Sequence, residues 1–358
     1  MIRRRVAGVA LCVAWLGLGG ACRREAAPAA GAAGDGPAAL DSARLAVFAP
    51  LPAVVPPESG RVSQDEVTLG RMLYYDPRLS RSQTISCNTC HDLAHYGVDG
   101  QPTSDGFKGQ TGTRNSPTVF NAAAQFAQFW DGRAANVEEQ AKGPMLNPVE
   151  MALASPKSAV AVIASMPEYV ALFRRAFPGE KQPVTFDNMA LAIGAFERGL
   201  MTPSAWDRYL KGDESALTPA QLAGLQAFLD DGCQACHNGA LLGGTSYQKL
   251  GLARPYPGLA DPGRYDVTKV EADRGSFKVP SLRNVDRTAP YFHDGEVPTL
   301  DEAVRRMGEY QVGKTLSDEE IGRIVTFLKV LTGPVDAAYV KPPALPRSTA
   351  ATPKPEND

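Results

Sequence analysis

Four of the six cysteines in this chain fall in two pentapeptides, Cys87-Asn88-Thr89-Cys90-His91 and Cys233-Gln234-Ala235-Cys236-His237. C-x-x-C-H is the attachment signature of c-type haem. Each thiol forms a thioether to a vinyl group, and the adjacent histidine binds the iron. Two other readings of paired cysteines fit less well. A zinc ribbon sets its pairs about 15–20 residues apart, whereas 146 residues separate Cys87 from Cys233. A redox C-x-x-C needs no histidine after both copies. The chain is therefore read as holding two covalently bound haem c groups. One sits on Cys87, Cys90 and His91 and the other on Cys233, Cys236 and His237. Each haem then forms part of a core, and the apoprotein should fold poorly.

The flanks fit an exported protein. Arg3, Arg4 and Arg5 precede a 13-residue apolar run, Val6 to Leu18, too short to span a bilayer comfortably. Gly19-Gly20-Ala21-Cys22 resembles a bacterial lipoprotein cleavage site, although Leu18 stands four residues before the cysteine rather than three. Residues 1–22 read as a signal peptide, with ordinary cleavage as the alternative to lipidation. Cys12 is lost in either case. The expected location is the periplasm, with a membrane tether through lipidated Cys22. Residues 23–59, rich in Ala, Gly and Pro over 26–40, read as a flexible tether, and 339–358 as a Pro-rich tail, extended or disordered. The 358-residue length suits two domains, assigned to 60–205 and 206–338. With 37 basic against 39 acidic residues, composition offers no support for a nucleic-acid partner.

The two halves repeat. Ser63-Gln64-Asp65-Glu66 and Thr218-Pro219-Ala220-Gln221 are capping-box patterns that open apolar helices ahead of each haem motif. Downstream, Pro117-Thr118-Val119, Asn121 and Trp130-Asp131-Gly132 match Pro280-Ser281-Leu282, Asn284 and His293-Asp294-Gly295 at equal spacing. The fold class expected is all-α, two cytochrome c-type haem domains related by internal duplication.

The sixth iron ligand separates electron transfer from chemistry. In the second half, Thr299-Leu300-Asp301-Glu302 opens a helix whose apolar face ends at Met307, a natural thioether ligand. The repeat places Pro144 at the equivalent point of the first half, and proline has no side-chain donor. Met145, one step on, is the alternative. No histidine occurs between 96 and 236. His95 reads as a solvated residue and His293 belongs to the second half. The first haem is thus expected to have an open sixth position and the second to be His/Met. Gln140 and Glu150 lie near Pro144. A carboxylate there could move a proton between the two oxygens of a bound peroxide, though Glu138, Glu139 and Glu150 are all equally plausible surface acids on spacing alone.

These residues resemble the bacterial dihaem cytochrome c peroxidase family, which includes MauG. The likeness runs over about 60–335. It rests on both haem motifs, Gly112-Thr113-Arg114-Asn115-Ser116-Pro117-Thr118, Gln128-Phe129-Trp130-Asp131-Gly132-Arg133 and Glu139-Gln140-Ala141. It continues through Asn147-Pro148-Val149-Glu150-Met151, Phe277-Lys278-Val279-Pro280-Ser281-Leu282-Arg283-Asn284, Pro290-Tyr291-Phe292-His293-Asp294-Gly295 and Met307. The resemblance implies a cytochrome-c peroxidase that reduces hydrogen peroxide to water. Its electrons come one at a time from a small cytochrome c or cupredoxin, through the haem on His237 and Met307 to the haem on His91. It implies that Glu150 and Gln140 are the distal acid/base and its partner, and that Trp130 is the residue between the haems. It implies a calcium site on Asn115 and the carbonyls of Thr288 and Pro290, an oxygen-rich set that suits a hard cation, and it suggests a homodimer. Many members carry a histidine 16 residues after the first motif's own, which caps the resting haem; here that position is Phe107. Two alternatives stay open: a MauG-like oxidase that modifies a partner protein, kept alive by Tyr310 close to Met307, and a non-catalytic dihaem electron-transfer cytochrome.

Overall fold

The computed structural model describes residues 42–57 and 60–356. The signal peptide and the lipidation of Cys22 lie outside them. Helices dominate. Gln64–Tyr75, Val137–Leu146, Pro156–Ala164, Pro167–Ala176 and Phe186–Glu197 build the first half. Ala205–Leu210, Pro219–Asp230, Leu300–Arg306 and Asp318–Leu328 build the second. The one sheet among the described residues is a short antiparallel pair, Tyr247–Lys249 against Ser276–Lys278, in the register Tyr247↔Lys278. No described helix is long and apolar enough to cross a membrane.

Both expected capping boxes form. Ser63 Oγ accepts from the Glu66 amide at 3.1 Å while the Glu66 carboxylate accepts from the Ser63 amide at 2.7 Å. Thr218 and Gln221 make the same exchange at 3.4 and 2.8 Å. Each pair satisfies two otherwise orphaned helix N–H groups. The apolar residues behind the boxes separate into two cores. One gathers Leu69, Leu73, Phe173 and Phe196, the other Trp206, Leu225, Phe228 and Phe327.

In each half the helix before the cysteine motif crosses the last long helix of that half at a glycine. A Cβ on Gly70 would sit 1.7 Å from the Ala192 carbonyl oxygen, and one on Gly224 would sit 2.2 Å from that of Arg323. The obstacle is backbone, so no side chain can swing aside. Gly70→Ala is expected to cost about 3 kcal/mol or more, the upper end for an overpacked core. Denaturant unfolding followed by circular dichroism measures this directly.

The repeated motif has repeated geometry. Asn121 and Asn284 are both left-handed, at φ 60°. Their amides donate to the carbonyls of Leu200 and Leu331 at 2.8 and 3.1 Å. Both side-chain amides donate to one hydroxyl, Thr202 Oγ1, at 2.9 and 2.8 Å, and Thr202 is fully buried. Phe129 and Phe292, at φ 66° and 69°, match in the same way.

Two segments depart from the composition-based expectation. Within the stretch read as tether, Phe48 is buried edge-on to Trp206 at 5.4 Å, and the Leu51 amide donates to Asp207 Oδ1 at 2.7 Å. This part belongs to the second core. The Pro-rich tail is extended but packed on the first half. Tyr339 stacks on Phe196 at 5.2 Å, the Pro346 carbonyl accepts from Arg78 at 2.9 Å, and Glu356 pairs with Arg81 at 2.9 Å. An extended chain with few N–H donors keeps its carbonyls free, and the arginines of the first half donate to them.

Candidate functional site

The first motif forms a single helical turn, Cys87–Cys90, stitched to the Gln64–Tyr75 helix by Tyr74 Oη, which donates to the His91 carbonyl at 2.7 Å. Nδ1 of His91 is buried and has no protein partner. Burial pushes the imidazole down, opposed by backbone near Gly97 and Pro117. The second motif follows the Pro219–Asp230 helix. Here Nδ1 of His237 lies 3.1 Å from the Leu242 carbonyl. That contact fixes the tautomer and leaves Nε2 as the donor to a metal. His95 is exposed, with Nδ1 2.6 Å from Asp92.

None of the four motif cysteines is joined in a disulfide. Burial pushes Cys90 up to about 11 and Cys233 up to about 12, and raises Cys87 and Cys236 as well. A redox dithiol needs the opposite, a depressed thiol pKa. Among the described residues no group of three or more His, Cys, Asp or Glu is placed to hold a metal ion. Thioether formation to a macrocycle removes the cost of these buried thiols, and the structure has room for one. A cavity of about 1690 Å³, its mouth included, is bordered by Cys233, Cys236, His237, Val304, Met307 and Trp130. Met307 enters it where the Leu300–Arg306 helix passes into a π-helical turn, Met307–Val312. His237 and Met307 therefore face one space that no side chain fills.

At the position that the repeat pairs with Met307, the first half offers no comparable thioether. Pro144 lies inside the Val137–Leu146 helix, and Met145 is wholly buried in the first core, a packing position. Glu150 is partly buried, with Oε1 accepting from Asn147 Nδ2 at 2.7 Å. Burial raises its pKa, and Arg133 and Asn147 pull it back. Glu150 is one of three carboxylates, with Asp99 and Asp105, whose charges act on the Cys90 thiol. Phe107 is buried, its amide donating to the Glu150 carbonyl at 2.8 Å. Gly106 makes this approach possible, since a Cβ there would lie 1.9 Å from the Val149 carbonyl. The Phe107 loop and the Glu150 segment are thus one packed unit. Gln140 sits on the Val137–Leu146 helix; its side chain makes no hydrogen bond within the described residues.

Trp130 joins the halves. Its Nε1 donates to the Asn115 carbonyl at 2.9 Å, and its own carbonyl accepts from the Lys278 amide at 2.8 Å. Asn115 Nδ2 donates to the carbonyls of Gln101 and Pro102 at 3.0 and 3.3 Å. Its Oδ1 accepts nothing, and Asn115, Thr288 and Pro290 border the same cavity. Sequence reasoning missed three residues here. Arg133 and Asn147 favour the charged form of Glu150 against burial, a role that their places in the quoted motifs did not show. Lys278, a lysine inside an apolar stretch, is buried in the cavity wall.

A helical chain with two haem-attachment motifs, a thioether facing one and carboxylates whose charges act on a cysteine of the other is a c-type cytochrome built for redox chemistry. Residues 64–215 match the family model described as di-haem cytochrome c peroxidase. The chain is 49% identical to the cytochrome c551 peroxidase of Pseudomonas aeruginosa over 88% of its length and 92% of that protein's. It is 33% identical to the methylamine utilization protein MauG of Methylorubrum extorquens, over 81% and 84%. Among solved structures it is similar to a MauG-like protein associated with microbial copper homeostasis, with TM-score 0.72 and 28% identity over 82% of this chain and 95% of that one. The chain belongs to the di-haem cytochrome c peroxidase family, whose cofactors are haem c groups. It is a haem-dependent oxidoreductase acting on peroxide.

Proposed function

We propose that this peroxidase reduces hydrogen peroxide to two waters at the Cys87–Cys90–His91 site, drawing two electrons and two protons per turnover. The electrons come one at a time from a small cytochrome c or cupredoxin. They enter at the Cys233–Cys236–His237 site, where His237 and Met307 would hold the haem iron, and cross by way of Trp130. The observation that carries this reading is the asymmetry of the halves: Met307 borders the second site, whereas the repeat puts Pro144 at that point of the first half, where Glu150, its pKa raised by burial, acts on the Cys90 thiol. Bound haem supplies the iron that takes the peroxide and the electrons that break its O–O bond. Glu150 takes the proton from the near peroxide oxygen and delivers it to the far one, so that water leaves as the bond breaks. Asn147 holds the carboxylate from one side, and Gln140 has a free carboxamide to hold the substrate. Burial raises the pKa of the carboxyl against Arg133 and Asn147, which makes the carboxylate the stronger base. The matching geometry at Asn121 and Asn284 supports an internal duplication with halves 60–205 and 206–338.

Met307 borders the cavity and Tyr310 does not; Tyr310 instead packs edge-on to Tyr256 at 5.3 Å. That favours the peroxidase over an oxidase that modifies a partner protein. Pro144 and Phe107 leave the first site without a side-chain ligand, which disfavours a purely electron-transferring cytochrome. The Oδ1 of Asn115, which accepts no hydrogen bond among the described residues, and the carbonyls of Thr288 and Pro290 are oxygen donors of the kind calcium takes. Periplasmic location, a lipid anchor at Cys22 and a homodimer complete the proposal.

Phe107 cannot bind iron, so the oxidised enzyme should turn over peroxide at once, without prior reduction. Phe107→His supplies an imidazole at that position and should introduce a lag that pre-reduction removes, with the initial rate of the oxidised form down by more than about tenfold. Stopped-flow oxidation of a reduced small cytochrome c measures both. A lag in the wild type would show that another group closes the site.

A further inference from the structure

We infer that Lys278 is the counter-ion of a haem propionate at the second site, and that its charge helps hold that haem at high potential. The inference rests on the second haem binding at Cys233, Cys236 and His237 as proposed above.

Lys278 ends the Ser276–Lys278 strand and is only 7% exposed. It borders the cavity that His237 and Met307 share. Its ammonium has three donors, and the protein uses one of them, to the carboxamide oxygen of Gln125. No carboxylate among the described residues acts on it; burial alone pushes its pKa down, to about 8.

Other buried or partly buried cations of this chain are treated differently. Arg198 pairs with Glu138 at 2.7 Å, Arg283 with Asp207 at 2.7 Å, and Arg114 with Asp131 and Asp261 at 2.6 and 2.7 Å. A buried cation without an anion is strongly disfavoured. The fold nevertheless places one in the wall of a cofactor cavity with two N–H donors to spare. Haem brings two carboxylates, which need partners of their own when taken from water. The unmatched cation and the unmatched anions solve each other.

The consequence is electrostatic. A fixed positive charge at the propionate offsets negative charge near the iron and favours the ferrous form. The Lys278 amide also holds the Trp130 carbonyl, so the residue that fixes the cofactor's carboxylate also fixes the residue between the two sites.

The test is redox titration of the holoenzyme and of Lys278→Gln, Lys278→Met and Lys278→Arg, after counting haems per chain by pyridine haemochrome. The neutral variants should shift the reduction equilibrium of the second haem about tenfold toward ferric, which is about 59 mV for one electron. The first haem should move less than about threefold, and Lys278→Arg should stay within about twofold of wild type. Neutral variants that titrate with the wild type overturn the inference, as does an arginine variant that shifts as far as glutamine. Two haems with no shift would remove this inference alone. A single haem per chain would remove the second-site reading with it. Should the neutral variants fail to mature, Lys278→Arg still decides. It changes the donor on the carboxylate, so the propionate-bending band in the resonance Raman spectrum must move, and an unmoved band overturns the inference.

Discussion

Glu150→Gln is expected to slow peroxide turnover by about 10²–10⁴-fold, the range for loss of a positioned acid–base group, with both haems still attached. Glutamine keeps the shape and can still engage Asn147 Nδ2 through its carbonyl oxygen, so binding should change little and the loss should fall on kcat. The pH profile gives a second, independent readout. Burial raises the Glu150 pKa, with Arg133 and Asn147 opposing. The group must begin as a carboxylate to take the peroxide proton. Below its folded pKa it is already protonated and idle, so the wild-type rate should rise with pH through that value. Glu150→Gln should be flat over the same limb. Arg133→Leu removes a cation that favours the charged form, so the limb should move to higher pH. A Glu150→Gln enzyme that keeps both the wild-type rate and the wild-type limb would assign proton transfer to another group.

The features legible in the sequence were local ones. Ser63 with Glu66 and Thr218 with Gln221 lie within one helical turn, so their capping is written in adjacent letters. The two haem motifs are likewise contiguous, and the spacing from proline to asparagine to Asp-Gly exposed the repeat. What joins these pieces was not legible. Asn121 and Asn284 stood out as a repeated pair, yet nothing in either half indicated that both would converge on Thr202, about 80 residues from each. Phe48 sat in a segment judged by the Ala, Gly and Pro residues that precede it in sequence, and its partner Trp206 lies far along the chain. The proline-rich tail looked structureless because it lacks a helical or strand period, but carbonyls facing arginines need no period. Lys278 was visible as a residue and invisible as a problem: its lack of a carboxylate partner is a property of the packed wall, not of the string.

Met307→His should separate where electrons enter from where peroxide is reduced. Met307 and His237 border one cavity, and a thioether opposite an imidazole raises the haem potential because it favours ferrous iron. Axial ligation sets haem potentials over about 0.8 V across proteins, and exchanging sulfur for a second imidazole should lower this one by on the order of 200 mV. At 59 mV per decade for one electron, that moves the equilibrium with a given donor by more than about a thousandfold. Steady-state turnover with a reduced cytochrome should then fall by more than about tenfold, because the donor can no longer deliver. The enzyme reduced chemically beforehand should still consume one equivalent of peroxide at the wild-type rate, since Glu150 and the His91 site are untouched. Met145→Leu is the matched control. Met145 is wholly buried in the first core, a volume-conserving exchange there should cost less than about 1.5 kcal/mol, and neither potential should move. If Met145→Leu shifts the first haem, or if Met307→His leaves steady-state turnover intact, the division of labour between the two halves is overturned.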